Sequence, residues 1–203
     1  MTVDTGYISL AVMKGAANLE AADGAFDAFL NLARLAGSRA VDSYCKTRFY
    51  ADTAVSDRVF TPMMGDEVIV DDFFTTTGLV VKTDTAGDGS FATTWTIGTD
   101  FAVEPANGIE DGIEGVAMMR LVAAGSKAFV VGRQRLKIST KWGWAATPDP
   151  VAQASAVVAS ALFKLKDAPL GQDWNDESSP IAVATNPKLR ELLDDTPYSR
   201  RRR

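Results

Sequence analysis

The sequence predicts an α+β fold: a helical bundle core of two long helices plus short N- and C-terminal helices, carrying an antiparallel β insertion. Three observations lead there. Apolar residues recur at helical spacing just after residue 23. From about Thr53 to Lys141 the chain changes to short β-branched and aromatic runs separated by Gly/Asp clusters. Helical spacing then returns at Asp149. Two long helices far apart in sequence are expected to pack together, with the sheet elaborated on one end. The organisation read from this is an N-terminal helical part over 1–50, a β-rich insertion over 51–145, a C-terminal helical part over 146–195 and a basic flexible tail over 196–203.

Residues 7–19, YISLAVMKGAANL, read as a short helix capped by Ser9, with Gly15 and Asn18 weakening its last turn. The next helix follows Asp23 as a cap. Phe26, Phe29, Leu30, Ala33, Ala36, Ala40, Val41 and Tyr44 form its apolar stripe, and Arg34, Ser38, Arg39, Asp42 and Lys46 take the polar side. At about 20 residues it would span about 30 Å.

The insertion contains RVFTP, EVIVDDF, GLVVKTD, ATTWTIGTDFAVEP and QRLKISTKW, all of strand composition. Residues 84–90, rich in Gly and Asp, are expected to turn a hairpin between strands near 78–83 and 91–97. Within 108–132, Met118 to Val122 and Ala128 to Val131 read either as strands or as a loop with a helical turn. Asp149 and Pro150 then suit the N-cap and first position of a helix, whose apolar face runs Val151, Ala154, Val158, Ala161, Leu162 and Leu165. Its many Ala and Ser residues permit close approach of another helix. Pro169 and Gly171 end it. Asn186-Pro187 opens a short helix through Leu189, Leu192 and Leu193, and TPYSRRRR is expected to be disordered in the free protein.

Composition narrows the function mainly by exclusion. With no histidine and a single cysteine, the chain cannot build a Ser-His-Asp triad, a Cys-His dyad or a His/Cys zinc site from its own residues. Carboxylates, Lys and Tyr are the remaining acid–base groups, and the chain is read as no enzyme, with no catalytic, cofactor-binding or metal residues. Cys45 has no internal disulfide partner, which fits a reducing compartment. No apolar run approaches the roughly 18 residues of a membrane span, and no signal-peptide pattern opens the chain. Net charge is −5, yet Arg200, Arg201, Arg202 and Arg203 close the sequence; without those four the remainder carries −9. Such an acidic body does not attract a phosphate backbone by its mean field, so any nucleic-acid contact falls to the tail.

Five features are candidate sites. DTAGDG at 84–89 has the start of a calcium loop, but Ala86 and Trp95 stand where ligands are needed, so a hairpin turn is the better reading. Asp71, Asp72, Glu110, Asp111 and Glu114 could pair as carboxylates, against a simpler reading as solvated loops. Trp142-Gly143-Trp144 could stack on a base, against core closure over the start of the following helix. Cys45 reads as a small buried hydrophobe. The arginine run reads equally as a solubilising end or as a contact for phosphate or an acidic protein surface.

YISLAVMK, AVDSYCKTRF, TDTAGDGSFATTWTIGTDFAVEPANG and KISTKWGWAATPDPVAQASAVVASALFKLKDAPLG, in that order over residues 7–171, resemble the head-to-tail connector (adaptor) proteins of long-tailed double-stranded DNA phages. The specificity lies in order and spacing, most of all in WGWAATPDPVAQA. The resemblance implies a structural virion protein of the neck, made in the host cytoplasm. It would form a twelve-fold ring of copies of itself between a portal protein and a head-closure (stopper) or tail protein. Packaged DNA would pass through the lumen without sequence specificity, and no cofactor or membrane would be involved. It also implies a C-terminal segment reaching the portal, with Leu189, Leu192 and Leu193 docking and Tyr198, Arg200, Arg201, Arg202 and Arg203 contacting portal or DNA. Two other functions stay open on the residues alone: a carboxylate-dependent metal hydrolase using 66–72 and 110–114, and a small nucleic-acid-binding module using the arginine tail.

Overall fold

A computed structural model describes residues 4–20, 24–105, 118–164 and 186–194. The chain divides into a helical unit, Met1–Tyr50 with Thr147–Arg203, and a β unit, Ala51–Ala146. The α+β prediction holds: among the described residues, two long helices and two short ones belong to the first unit, and two antiparallel sheets to the second.

In the helical unit, α1 (Leu10–Ala16) starts at the expected cap, the Ser9 hydroxyl accepting from the Val12 N–H at 3.2 Å. It stops earlier than the pattern suggested. Asn18 takes a left-handed φ of 55° and Leu19 N–H donates back to the Lys14 carbonyl at 2.9 Å, a Schellman-type ending. Helix α2 (Asp27–Cys45) has Phe26 at its N-cap with no side-chain cap bond, while Asp23 lies outside the described residues. It ends at Lys46, whose φ of 60° turns the chain away. Helix α3 (Asp149–Lys164) begins one residue earlier than expected. The Ala152 N–H donates to the Pro148 carbonyl at 2.9 Å, which makes Pro148 the cap and places Asp149 and Pro150 in the first turn.

The buried face of α2 is rotated from the predicted one. Leu30, Ala33, Val41 and Tyr44 are inside as expected, but so are Arg34, Gly37, Ser38 and Cys45, whereas Phe29 and Ala36 are exposed. The cause is the crossing with α3. A Cβ on Gly37 would sit 2.8 Å from the Ser155 carbonyl oxygen and 2.9 Å from the Ala159 nitrogen, so only glycine lets the backbones come this close. The contact therefore centres on Gly37 and Ser38 against Ser155 and Ala159, and the larger apolar side chains fall beside it. On α3 the same crossing buries Ser155, Ala159 and Phe163 beside Val151, Ala154 and Val158, leaving Ala161 and Leu162 half-buried; Leu165 lies outside the described residues.

The β unit has a four-stranded sheet in the order β1-β7-β3-β4 (Ser56–Phe60, Leu136–Thr140, Val80–Thr83, Thr93–Trp95) and a three-stranded sheet in the order β2-β6-β5 (Glu67–Phe73, Met118–Ala123, Phe101–Glu104). Every pairing is antiparallel. The expected hairpin is β3–β4, with Val81 opposite Trp95 and Thr83 opposite Thr93. Of the two ambiguous stretches, Met118 to Val122 is strand, while Ala128 to Val131 is irregular, with Phe129 buried and its N–H donating to the Gly65 carbonyl at 2.7 Å. One core serves both sheets: Val68, Val70 and Leu121 from one and Val81, Leu136 and Ile138 from the other surround Phe73, Phe101 and Trp142.

Candidate interaction surfaces

Asp71, Asp72 and Asp84, the described carboxylates weighed for chemistry, are committed to holding the fold. Strand alternation turns neighbouring acids to opposite faces of β2, Asp71 outward and Asp72 inward, and the register shift before Phe73 puts that ring inside beside Asp72. Asp71 pairs with Arg58 at 2.7 Å, while Asp72 is buried and accepts from the Trp144 indole N–H at 3.2 Å. In the 84–89 turn, the Asp84 carboxylate accepts from the Gly87 N–H at 2.6 Å and the Gly89 N–H at 2.9 Å. Arg135 lies 3.8 Å from the same group. Asp84 thus organises the hairpin from within, with Gly87 and Gly89 supplying the positive φ the turn requires. Glu110, Asp111 and Glu114 lie outside the described residues. Among the described residues, no three His, Cys, Asp or Glu side chains converge as metal ligands, and no helix is long and apolar enough to cross a membrane.

The two tryptophans are core residues. Trp142 donates its N–H to the Ser56 carbonyl at 2.9 Å and packs edge-on against Phe73, with the Arg58 guanidinium 4.5 Å from its ring centre. It closes the core of the β unit itself. Cys45 is buried, as read from the sequence.

A polar clasp in the helical unit was not legible in the sequence. Residues 4–8 run along one side of α2 and are held by Arg34, Ser38 and Asp42, one helical turn apart. Arg34, only 8% exposed, donates to the Ile8 carbonyl and to Asp4, both at 2.9 Å, and to Asn31 at 3.0 Å. Its hydrogen bond holds the Asp4 carboxyl below the usual carboxylate range. The Ser38 hydroxyl accepts from the Tyr7 N–H at 3.0 Å, contacts Ser155 at 3.0 Å and reaches the Arg34 carbonyl at 2.9 Å, which uses its full hydrogen-bonding capacity. The Tyr7 hydroxyl donates to Asp42 and accepts from the Phe49 N–H at 2.9 Å. Burial, together with Asp42, pushes the Tyr7 phenol up, and burial raises the Asp42 carboxyl despite the bond from Tyr7. The signal lay in the i, i+4, i+8 spacing of these polar residues; what hid it is that their partners in residues 4–8 are 26 to 35 residues away.

The C-terminal helix α4 (Pro187–Leu193) is capped by Asn186, whose side chain accepts from the Lys188 and Leu189 N–H groups at 3.0 and 3.3 Å. Leu189 and Leu193 are buried and Leu192 is half-buried. Just after the helix, Asp194 accepts from the Tyr44 hydroxyl at 2.5 Å, tying this end of the chain to α2. Tyr198 and Arg200 to Arg203 lie outside the described residues.

These features define an α+β protein with a helical core whose polar and charged groups serve structure. No family model matches the sequence, and no curated protein matches it. The fold is nevertheless shared with known chains. One, from the neck of an empty GTA particle computed with C6 symmetry, is 17% identical over 90% of each chain, with a TM-score of 0.56. A second, from the virion of the native gene transfer agent particle, is 18% identical over 90% of each chain, also at 0.56.

Proposed function

We propose that this chain is a structural head-to-tail adaptor of a phage-like particle. Copies of it form a ring, twelve-fold in the assembled neck, between the portal protein and the head-closure or tail proteins, and the genome passes through. The observation that carries this reading is the likeness of fold, over 90% of both chains, to chains from a particle neck and virion. The order of motifs over 7–171 supports it independently. A net charge of −9 outside the terminal arginines suits a wall that DNA must leave quickly. The protein is made in the host cytoplasm and ends in the virion neck; it carries out no reaction there.

In this reading the C-terminal end is the portal-proximal contact. Burial of Leu189 and Leu193 within the chain and the Tyr44–Asp194 bond hold α4 on its own helical unit, so of the three leucines expected to dock on the portal only the half-buried Leu192 keeps surface for it. Tyr198, Arg200, Arg201, Arg202 and Arg203 extend beyond α4 to pair with portal acids or DNA phosphate. Imaging purified particles for a ring of this chain between portal and tail tests the adaptor reading. Deleting 198–203 tests the tail: portal binding is expected to weaken and to become less salt-sensitive, and unchanged binding and assembly would overturn the assignment.

A further inference from the structure

We propose that the outer face of the four-stranded sheet is a contact for the phosphate backbone of DNA, made by Lys82, Lys137 and Lys141. Strand alternation builds this face. In β7, Leu136, Ile138 and Thr140 are buried, which turns Lys137, Ser139 and, just past the strand, Lys141 outward. In β3, Val81 and Thr83 are buried, and Lys82 is turned outward directly opposite Lys137.

The mean charge of the chain hides this face. Residues 51–146 hold thirteen acidic side chains against eight basic ones, yet four of those eight fall within 133–141, and Lys82 stands beside them in the sheet. On the three-stranded sheet the cation is used up: Arg120 pairs with Glu67 at 3.2 Å and with Glu104 at 3.4 Å. On the four-stranded sheet, Asp57 of β1 is the single carboxylate among the outward strand residues. It already accepts from the Ser139 hydroxyl at 2.6 Å and lies 3.7 Å from Lys137. Among the described residues, neither Lys82 nor Lys141 has an ion-pair partner. Like charges set directly opposite each other oppose folding, so the Lys82–Lys137 pair does nothing for the chain alone. A polyanion laid across both lysines turns that repulsion into attraction.

The layout favours a linear polymer over the scattered acids of a folded protein. Four strand residues separate Lys137 from Lys141, about 13 Å, and Lys82 stands one strand aside, at about 4.8 Å. DNA offers such a row of cations a phosphate every ~3.4 Å along each strand. The Thr94 side chain, opposite Lys82 in β4, adds a hydroxyl donor. Three lysines make a weak, salt-sensitive contact, which suits a channel wall that must release its genome. The inference rests on the adaptor reading for the presence of DNA and on the sheet itself for the surface.

The test titrates a fluorescent DNA duplex of about 20 base pairs with the full-length chain, its four terminal arginines replaced by glutamine, and reads anisotropy. Binding is expected, with a slope of log K against log salt of roughly −2 to −3. Lys82→Gln, Lys137→Gln and Lys141→Gln together are expected to weaken it at least tenfold in low salt and flatten the slope, with the melting temperature kept within a few degrees. Lys46→Gln, Arg48→Gln and Lys188→Gln together remove the same charge elsewhere and are expected to weaken binding less than threefold. Equal losses in the two triple variants overturn the proposal, because binding then follows net charge alone. Unchanged duplex affinity in the sheet variant also overturns it, and loss of portal binding in that variant assigns the face to an acidic protein instead. If the chain forms the neck ring but the lysines bind no duplex, the adaptor reading stands and this inference falls. If the lysines bind duplex but the chain is absent from the neck, the adaptor reading falls and the DNA contact stands.

Discussion

The two units build their interiors from opposite materials. In the β unit the core is bulky: Phe73, Trp95, Phe101, Phe129 and Trp142 fill it, with Trp95 and Phe129 stacked at 4.6 Å. In the helical unit the central crossing is made of Gly37, Ser38, Ser155 and Ala159, and a buried arginine sits beside it. One interior is held by the area of large rings removed from water, the other by backbones brought close and polar groups fully paired. The β unit should therefore suffer most from lost volume, and the helical unit from added volume or altered charge.

The largest effect is expected where the β core loses its central ring. Trp142→Ala removes a fully buried indole, its bond to Ser56 and its packing on Phe73, and should cost about 3–5 kcal/mol, read as a drop in denaturant midpoint at unchanged m. An equally small change should be costly in the helical unit in the reverse direction. Gly37→Ala gains helix propensity but drives a methyl against the α3 backbone, and a net loss of ~1–3 kcal/mol is expected in thermal melts. Gly15→Ala is its counterpart: nothing lies within 4 Å of that added Cβ, so the same substitution should stabilise by ~0.5–1 kcal/mol. Equal signs for the two glycines would break the comparison.

The smallest effect concerns charge. Burial raises the folded-state pKa of Asp42 above its ordinary 3.8. A raised carboxyl contributes stability that is fully present below 3.8 and is lost as pH rises through the folded value. Asp42→Asn carries no such titration. Chemical denaturation of both proteins across that window should therefore move the difference in favour of Asp42→Asn as pH rises, and a pH-independent difference would remove Asp42 from this account.

What was legible in the sequence follows the range of the forces involved. Local patterns located α2, α3, the β3–β4 hairpin and the Ser9 and Asn186 ends, because caps, turns and periodicity act within a few residues. The buried face of α2 was misplaced because Ser38 counts as polar and Gly37 has no side chain to mark a face, when their smallness is what draws α3 in. Arg34 was assigned to solvent because the carbonyl of Ile8 and the carboxylate of Asp4 that satisfy it come from a distant segment. Strict alternation separates Asp71 from Asp72, but it does not announce the register shift that buries Asp72 and Phe73 together. Ala128 to Val131 has strand composition but spends its backbone on the 62–65 loop, through Phe129 to Gly65 and Gly132 to Pro62.

Because Ala51–Ala146 interrupts the helical unit, the order of synthesis matters. Helix α2 leaves the ribosome about 100 residues ahead of α3, a wait of roughly 5–20 s at ordinary elongation rates. During that interval Leu30, Ala33 and Val41 have no α3 to cover them, while every strand of the β unit is already in hand. The β unit can therefore finish first, and the nascent α2 is the stretch on which a chaperone would have to act.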